Sequence, residues 1–217
     1  MSRESPCARH RRPRTGSAWR IRAGRWWGEF VGPEATPTND VLTAATALFG
    51  AAVAPAIVRR RGGTRLGALI AVGLAGDLVG GAYVNNTRAC ARWYERPGQG
   101  VTEHLIFAAL HVHPAVVAWM DRDAAKRIPG PWWALAHYSY MLGSAAAIQR
   151  YRSRRRTLGV ILTIGGIALD RAIGSSHTAP WLAWTYYPKL LLGHAAAAAW
   201  SDDDLAVDDV RLSSRES

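Results

Sequence analysis

Uncharged runs of bilayer length are the strongest constraint on what this chain can fold into. Eighteen residues free of Asp, Glu, Lys and Arg separate Asp40 from Arg59, and 22 separate Arg127 from Arg150. A hydrocarbon core about 30 Å thick asks for roughly 20 apolar residues per helix. Further blocks rich in Ala, Leu, Gly and Val fill residues 40–200 between short arginine clusters, while the first 39 and last 17 residues are polar. The pattern predicts an all-α fold: a polytopic membrane helix bundle with six transmembrane helices. They are expected at about 41–58, 65–86, 103–120, 131–149, 157–176 and 180–200. Residues 1–39 then form a basic arm with an interfacial aromatic segment, 40–200 the membrane domain, and 201–217 an acidic, disordered tail.

The formal charge of +11 raises the question of nucleic acid. The arginines, however, sit at block ends and in the arm, where membrane-flanking charge belongs, and no nucleic-acid motif accompanies them. The expected partner is the lipid bilayer. In "WRIRAGRWWGEFV", Arg20, Arg22 and Arg25 alternate with Trp19, Trp26 and Trp27, a mixture suited to anionic headgroups. No apolar stretch of signal-peptide type precedes the first span. Cys7 and Cys90 make neither a metal spacing nor a disulfide framework.

Lys and Arg are more numerous in the tails and in the second and fourth loops than in the first, third and fifth. That bias predicts a multi-pass plasma-membrane protein with both termini cytoplasmic. "RRR" at 59–61 opposes it. An internal echo bears on the conflict: "RRRGGTRLGALIAVGLAGD" (59–77) resembles "RSRRRTLGVILTIGGIALD" (152–170). The matching helices are three spans apart, so a true repeat would give two inverted three-helix halves.

A charge at the bilayer centre costs about 2.5–3.5 kcal/mol on insertion scales. Asp77, Asp170, Arg171 and Lys189 all fall inside predicted spans, on the order of 10 kcal/mol if left unpaired. They should therefore face one another or a wet cavity. Asp77 and Lys189 lie at nearly the same depth, which predicts that they pair.

The third span, "EHLIFAALHVHPAVVAW" (103–119), adds three histidines. His104 and His111 share a helix face but stand about 10 Å apart along the axis, too far to hold one metal ion together. His111 and His113 would point apart on an ideal helix. Pro114 alters this: it has no N–H and clashes with the Leu110 carbonyl, so a kink could turn both rings into one cavity. Pro188 beside Lys189 repeats the device in the last span. His137 and His194 are expected to make interhelical hydrogen bonds. Glu103 and His104 are expected to snorkel at the cytoplasmic mouth, and His177 to meet water.

The leading expectation is a membrane-embedded enzyme acting on a lipid-soluble substrate. His111 and His113 would serve in acid–base chemistry, with Asp77 and Lys189 completing the catalytic set. Arg88, Arg92 and Arg96, four apart in the second loop, would clamp a headgroup. His111, His113 and His194 are candidate metal ligands, and His111 with His194 on a facing helix is a candidate haem pair, although no sequence feature specifies either cofactor. The alternatives are a proton-coupled transporter or channel, in which a homo-oligomer could supply the pathway, and a non-catalytic membrane subunit or scaffold.

Overall fold

The computed structural model describes residues 26–124 and 127–206. The basic arm up to Arg25 and the tail beyond Ala206 lie outside them, as does most of the expected headgroup-binding segment. The described residues form helices joined by short turns. After a short helix at 26–31 (α1) come α2 (Pro37–Arg60), α3 (Arg65–Val84), α4 (Arg88–Tyr94), α5 (Val101–Ala109), α6 (His113–Met120) and α7 (Gly130–Arg150). A 3₁₀ turn at Arg152–Arg154 leads into α8 (Arg155–Ile173), then α9 (Leu182–Tyr187), a π-helix (Pro188–Ala195) and α10 (Asp202–Leu205).

Local chemistry sets these boundaries. The first long helix is capped by Thr36, whose Oγ1 accepts from Asn39 N at 3.2 Å, with Pro37 in the first turn. Proline suits that first helical position, where its missing N–H would have no intrahelical partner anyway. Thr64 and Thr87 cap α3 and α4 in the same way. Trp27 Nε1 donates to Asp40 Oδ1 at 2.8 Å and ties α1 to the start of α2.

The helical passes, of which α5–α6 and α9–π are each broken, run between two ends. At one end Arg61 Nη1 donates to the His177 carbonyl and Trp133 Nε1 to the Gly174 carbonyl. Asp121, buried at the same end, accepts from Ser176 Oγ, His177 N, Thr178 N and Thr178 Oγ1 at 2.6–2.9 Å. At the opposite end Glu95 pairs with Arg152 and Arg155, and Trp200 Nε1 donates to the Asn86 carbonyl. Asp202 there pairs with Arg155 and Arg156. Residues 201–206 are therefore docked on the bundle, contrary to the disordered tail expected for them.

Helices α2 and α3 meet through small residues. A Cβ on Gly50 would lie 2.6 Å from the Ala75 carbonyl, and one on Gly80 2.8 Å from Ala47 Cβ. Such close backbone approach drives helix pairing in lipid, where burying apolar surface gains little. The main core lies between α3 and the later helices, around Leu78, Met141, Ile148, Tyr186, Tyr187, Leu190 and Leu191.

Among the described residues, three helices are long and apolar enough to cross a membrane: Pro37–Arg60, Arg65–Val84, and Val101–Met120 taken across its break. The later passes are more polar or shorter. Helix α7 carries His137, Ser144 and Gln149, α8 is flanked by Arg155, Arg156, Asp170 and Arg171, and the last pass is divided at Pro188.

Candidate functional site

The two broken passes carry the groups of greatest interest. Between α5 and α6 the chain leaves the helix at Leu110–Val112. Every carbonyl freed there is satisfied locally, as unpaired backbone in a membrane requires. Val112 N takes the Leu110 carbonyl at 2.9 Å, and Tyr186 Oη donates to the His111 carbonyl at 2.9 Å. Tyr138 Oη donates to the Ala109 carbonyl at 2.8 Å, and His111 Nδ1 donates to the Phe107 carbonyl at 2.7 Å. The break also rotates the histidines. His111 and His113, which would diverge on a regular helix, stack with centroids 5.2 Å apart and 26° between planes.

Across from them, Lys189 Nζ donates to Asp77 Oδ2 at 2.5 Å, and His113 Nε2 reaches the same oxygen at 3.1 Å. One carboxylate oxygen is thereby shared by an ammonium from the π-helix and an imidazole from α6. The exposures are unequal: the Lys189 side chain is 3% exposed, that of His113 15% and that of Asp77 38%. Gly81, one turn beyond Asp77, makes the geometry feasible, since a Cβ there would lie 2.5 Å from Lys189 Cδ. The π-helix turns Lys189 to face α3, and amides cover its irregular carbonyls. Asn85 Nδ2 donates to the Lys189 carbonyl at 3.2 Å and Asn86 Nδ2 to that of Pro188 at 3.3 Å. Gln149 Nε2 donates to the Ala195 carbonyl at 3.1 Å. π-Turns of this kind are frequent at functional positions.

The expected arginine clamp is not assembled. Arg88 Nε donates to the Asp204 carbonyl, Arg92 pairs with Glu34 at 3.1 Å, and Arg96 lies over the Trp93 ring. Each guanidinium has a different partner, so the four-residue spacing does not produce convergence. His104 does not snorkel; it is buried with its ring 4.7 Å from that of His194. Nor does His194 make the expected interhelical hydrogen bond. It stacks on Phe107 at 3.9 Å, and neither ring nitrogen has a hydrogen-bond partner. Phe107 also packs 4.6 Å from His111, filling the space between the two histidines named as haem ligands. Among the described residues, no three His, Cys, Asp or Glu side chains converge as a metal site.

His137 makes the expected interhelical hydrogen bond, to a tyrosine that the sequence does not single out. Tyr187 Oη and His137 Nδ1 are 2.7 Å apart, and His137 Nε2 lies 3.6 Å from Asp170 Oδ1. Asp170 also accepts from Ser175, whereas Arg171 turns outward over Trp184. Cys90, on α4 beside Asn85, is sealed from solvent. Burial pushes its thiol up to about 12, with the Lys189 cation pulling the other way.

No family model, curated protein or solved structure matches the chain.

Proposed function

We propose that this is a multi-pass membrane protein that exchanges protons at Asp77, His113 and Lys189, and so couples proton movement to transport of a small solute. The observation that carries the reading is the shared carboxylate oxygen of Asp77. When the imidazole is neutral, the carboxylate balances the ammonium. A proton added to the imidazole makes a second cation that competes for the same oxygen, and one of the two must loosen. Burial strengthens such competition because low dielectric magnifies each interaction. Histidine is suited to the task because it ordinarily titrates near neutrality. Both cations sit on passes broken beside a proline, the kind of discontinuous helix on which carriers place their coupling sites.

The same features support six crossings. Exposed apolar side chains continue onto the later passes, at Trp132, Leu135, Val160, Ile161, Ile164 and Trp184. Two inverted three-helix halves fit the recurrence of an aspartate in the second and fifth passes and a proline break in the third and sixth. Cytoplasmic termini in the plasma membrane remain the orientation favoured by the arginine distribution.

A second reading, an enzyme acting on a lipid-soluble substrate, draws on the apolar groove that reaches the α5–α6 break at Val112. It is the weaker one. His113 pairs with Asp77 and packs against Tyr186, and neither His111 nor His113 lines that groove.

The test is proton flux into liposomes containing the purified full chain, followed with an internal pH-sensitive dye across a range of candidate solutes and ion gradients. The wild type is expected to move protons, and His113→Gln is expected to reduce the flux at least tenfold without lowering thermal stability by more than a few degrees. Equal flux in both proteins would overturn the proposal, as would no flux above empty liposomes under any gradient.

A further inference from the structure

Between α6 and α7 runs a groove of about 660 Å³ whose lining includes Val112, Trp119, Arg122, Pro131, Leu135 and Tyr138. It continues at Arg122 and Gly130 into a recess of about 300 Å³ that also includes Arg127. The two parts differ in chemistry. The groove is apolar over most of its length, and the recess is lined by Arg122 and Arg127 together with Asp121.

Its dimensions match one leaflet. From Val112 to Arg122 is ten residues, about 15 Å at 1.5 Å per residue, half of a hydrocarbon core of about 30 Å. The groove therefore runs from headgroup depth at Arg122 to mid-membrane at Val112. Trp119, with the Arg122 guanidinium 4.7 Å from its ring, marks the interfacial level.

The charges at the mouth are unequal. Asp121 is directed into the 176–178 loop, where it accepts four hydrogen bonds. Asp123 meets Arg122 Nε at 3.5 Å but is 84% exposed, a loose surface pair. Arg127 is held by one donation, from Nη1 to the Ala172 carbonyl at 3.0 Å, and Arg122 Nη1 donates to the Trp119 carbonyl at 3.2 Å. Both forks keep further N–H groups for an anion, and arginine forks suit phosphate oxygens.

We propose that this groove binds an acidic phospholipid, with one acyl chain along α6 and α7 and the phosphate between Arg122 and Arg127. The site is distinct from the N-terminal arm and independent of proton exchange at Asp77. Its deep end touches the α5–α6 break, where Tyr138 both lines the groove and holds the Ala109 carbonyl. An occupying chain would brace that break.

The experiment is native mass spectrometry of the full-length protein in neutral detergent with equimolar phosphatidylglycerol and phosphatidylcholine. Arg122→Gln/Arg127→Gln tests the mouth and Leu135→Trp fills the groove, with thermal unfolding to confirm that each variant folds. The wild type should retain phosphatidylglycerol at collision energies that strip phosphatidylcholine. The double variant should bind it about 30-fold more weakly, on the basis of roughly fivefold per arginine near a lipid surface. Leu135→Trp should lose both lipids. No preference for phosphatidylglycerol in the wild type would overturn the proposal, and so would unchanged binding in a folded double variant. Displacement of the lipid by inorganic phosphate at equal concentration would also overturn it, since it would show that the acyl groove contributes nothing.

Discussion

Neutralising the two ends of the Asp77–Lys189 pair one at a time should have unequal effects. Asp77→Asn leaves an ammonium whose side chain is 3% exposed without its carboxylate. Breaking a buried pair by removing one partner generally costs about 3–5 kcal/mol, because the surviving charge remains desolvated. Lys189→Met leaves Asp77 38% exposed and still 3.1 Å from His113 Nε2. Its stranded charge has both solvent and a second donor, so its loss should fall nearer 1–2 kcal/mol. The double variant removes both charges and should recover most of the larger loss, leaving a coupling of at least about 2 kcal/mol. Thermal unfolding in detergent, followed by tryptophan fluorescence, is the assay. For a chain of this size, 3–5 kcal/mol corresponds to a fall in Tm on the order of 10 °C. Equal losses from the two single changes would refute the argument from exposure. Additive losses in the double variant would refute the pairing itself.

Gly81→Ala should destabilise despite alanine's better helix propensity, because its Cβ would displace the Lys189 side chain from 2.5 Å. Gly73→Ala, with no neighbour within 4 Å of an added Cβ, should be neutral or stabilising, and equal Tm changes would contradict this. Asp121→Ala should cost about 3–5 kcal/mol, since it strands four donors in the 176–178 loop; a Tm change of only a degree or two would count against the clasp. In a Cys7→Ser background, Cys90 should resist iodoacetamide at pH 8 in the folded protein and react in denaturant. With its thiol raised to about 12, almost none is thiolate at that pH, and labelling at the rate of a free thiol would contradict the burial.

Helix positions were legible because apolar runs end at features that local physics recognises: Thr36–Pro37, the arginines at 59–61, Thr64, Pro129–Gly130 and Gly174. Asp77 and Lys189 were legible for a different reason. A charge within a span is expensive enough to demand a partner, and depth alone then narrows the choice. Tyr186 and Tyr187 carry no such signal. A neutral polar side chain in a span is inexpensive, and sequence depth does not say which faces meet. The arginine clamp failed because spacing on one short helix fixes relative direction, while the partners come from Glu34 and the Asp204 carbonyl, remote in sequence. The partners of His113 depended on how far Pro114 turned the chain. That rotation follows from the hydrogen bonds of Tyr138 and Tyr186, which no local pattern announces.

Competition of His113 and Lys189 for the Asp77 carboxylate is the core of the functional proposal, and infrared difference spectroscopy of the reconstituted protein measures it directly. Spectra would be compared between about pH 5 and pH 8, where histidines ordinarily change charge. Shared use of one carboxylate oxygen predicts that imidazolium bands and shifts in the carboxylate stretches appear together, with one apparent midpoint. Asp77→Asn should remove the carboxylate signal and move the imidazole midpoint. An imidazole midpoint unchanged in Asp77→Asn, or no carboxylate change between the two pH values in the wild type, would contradict the account.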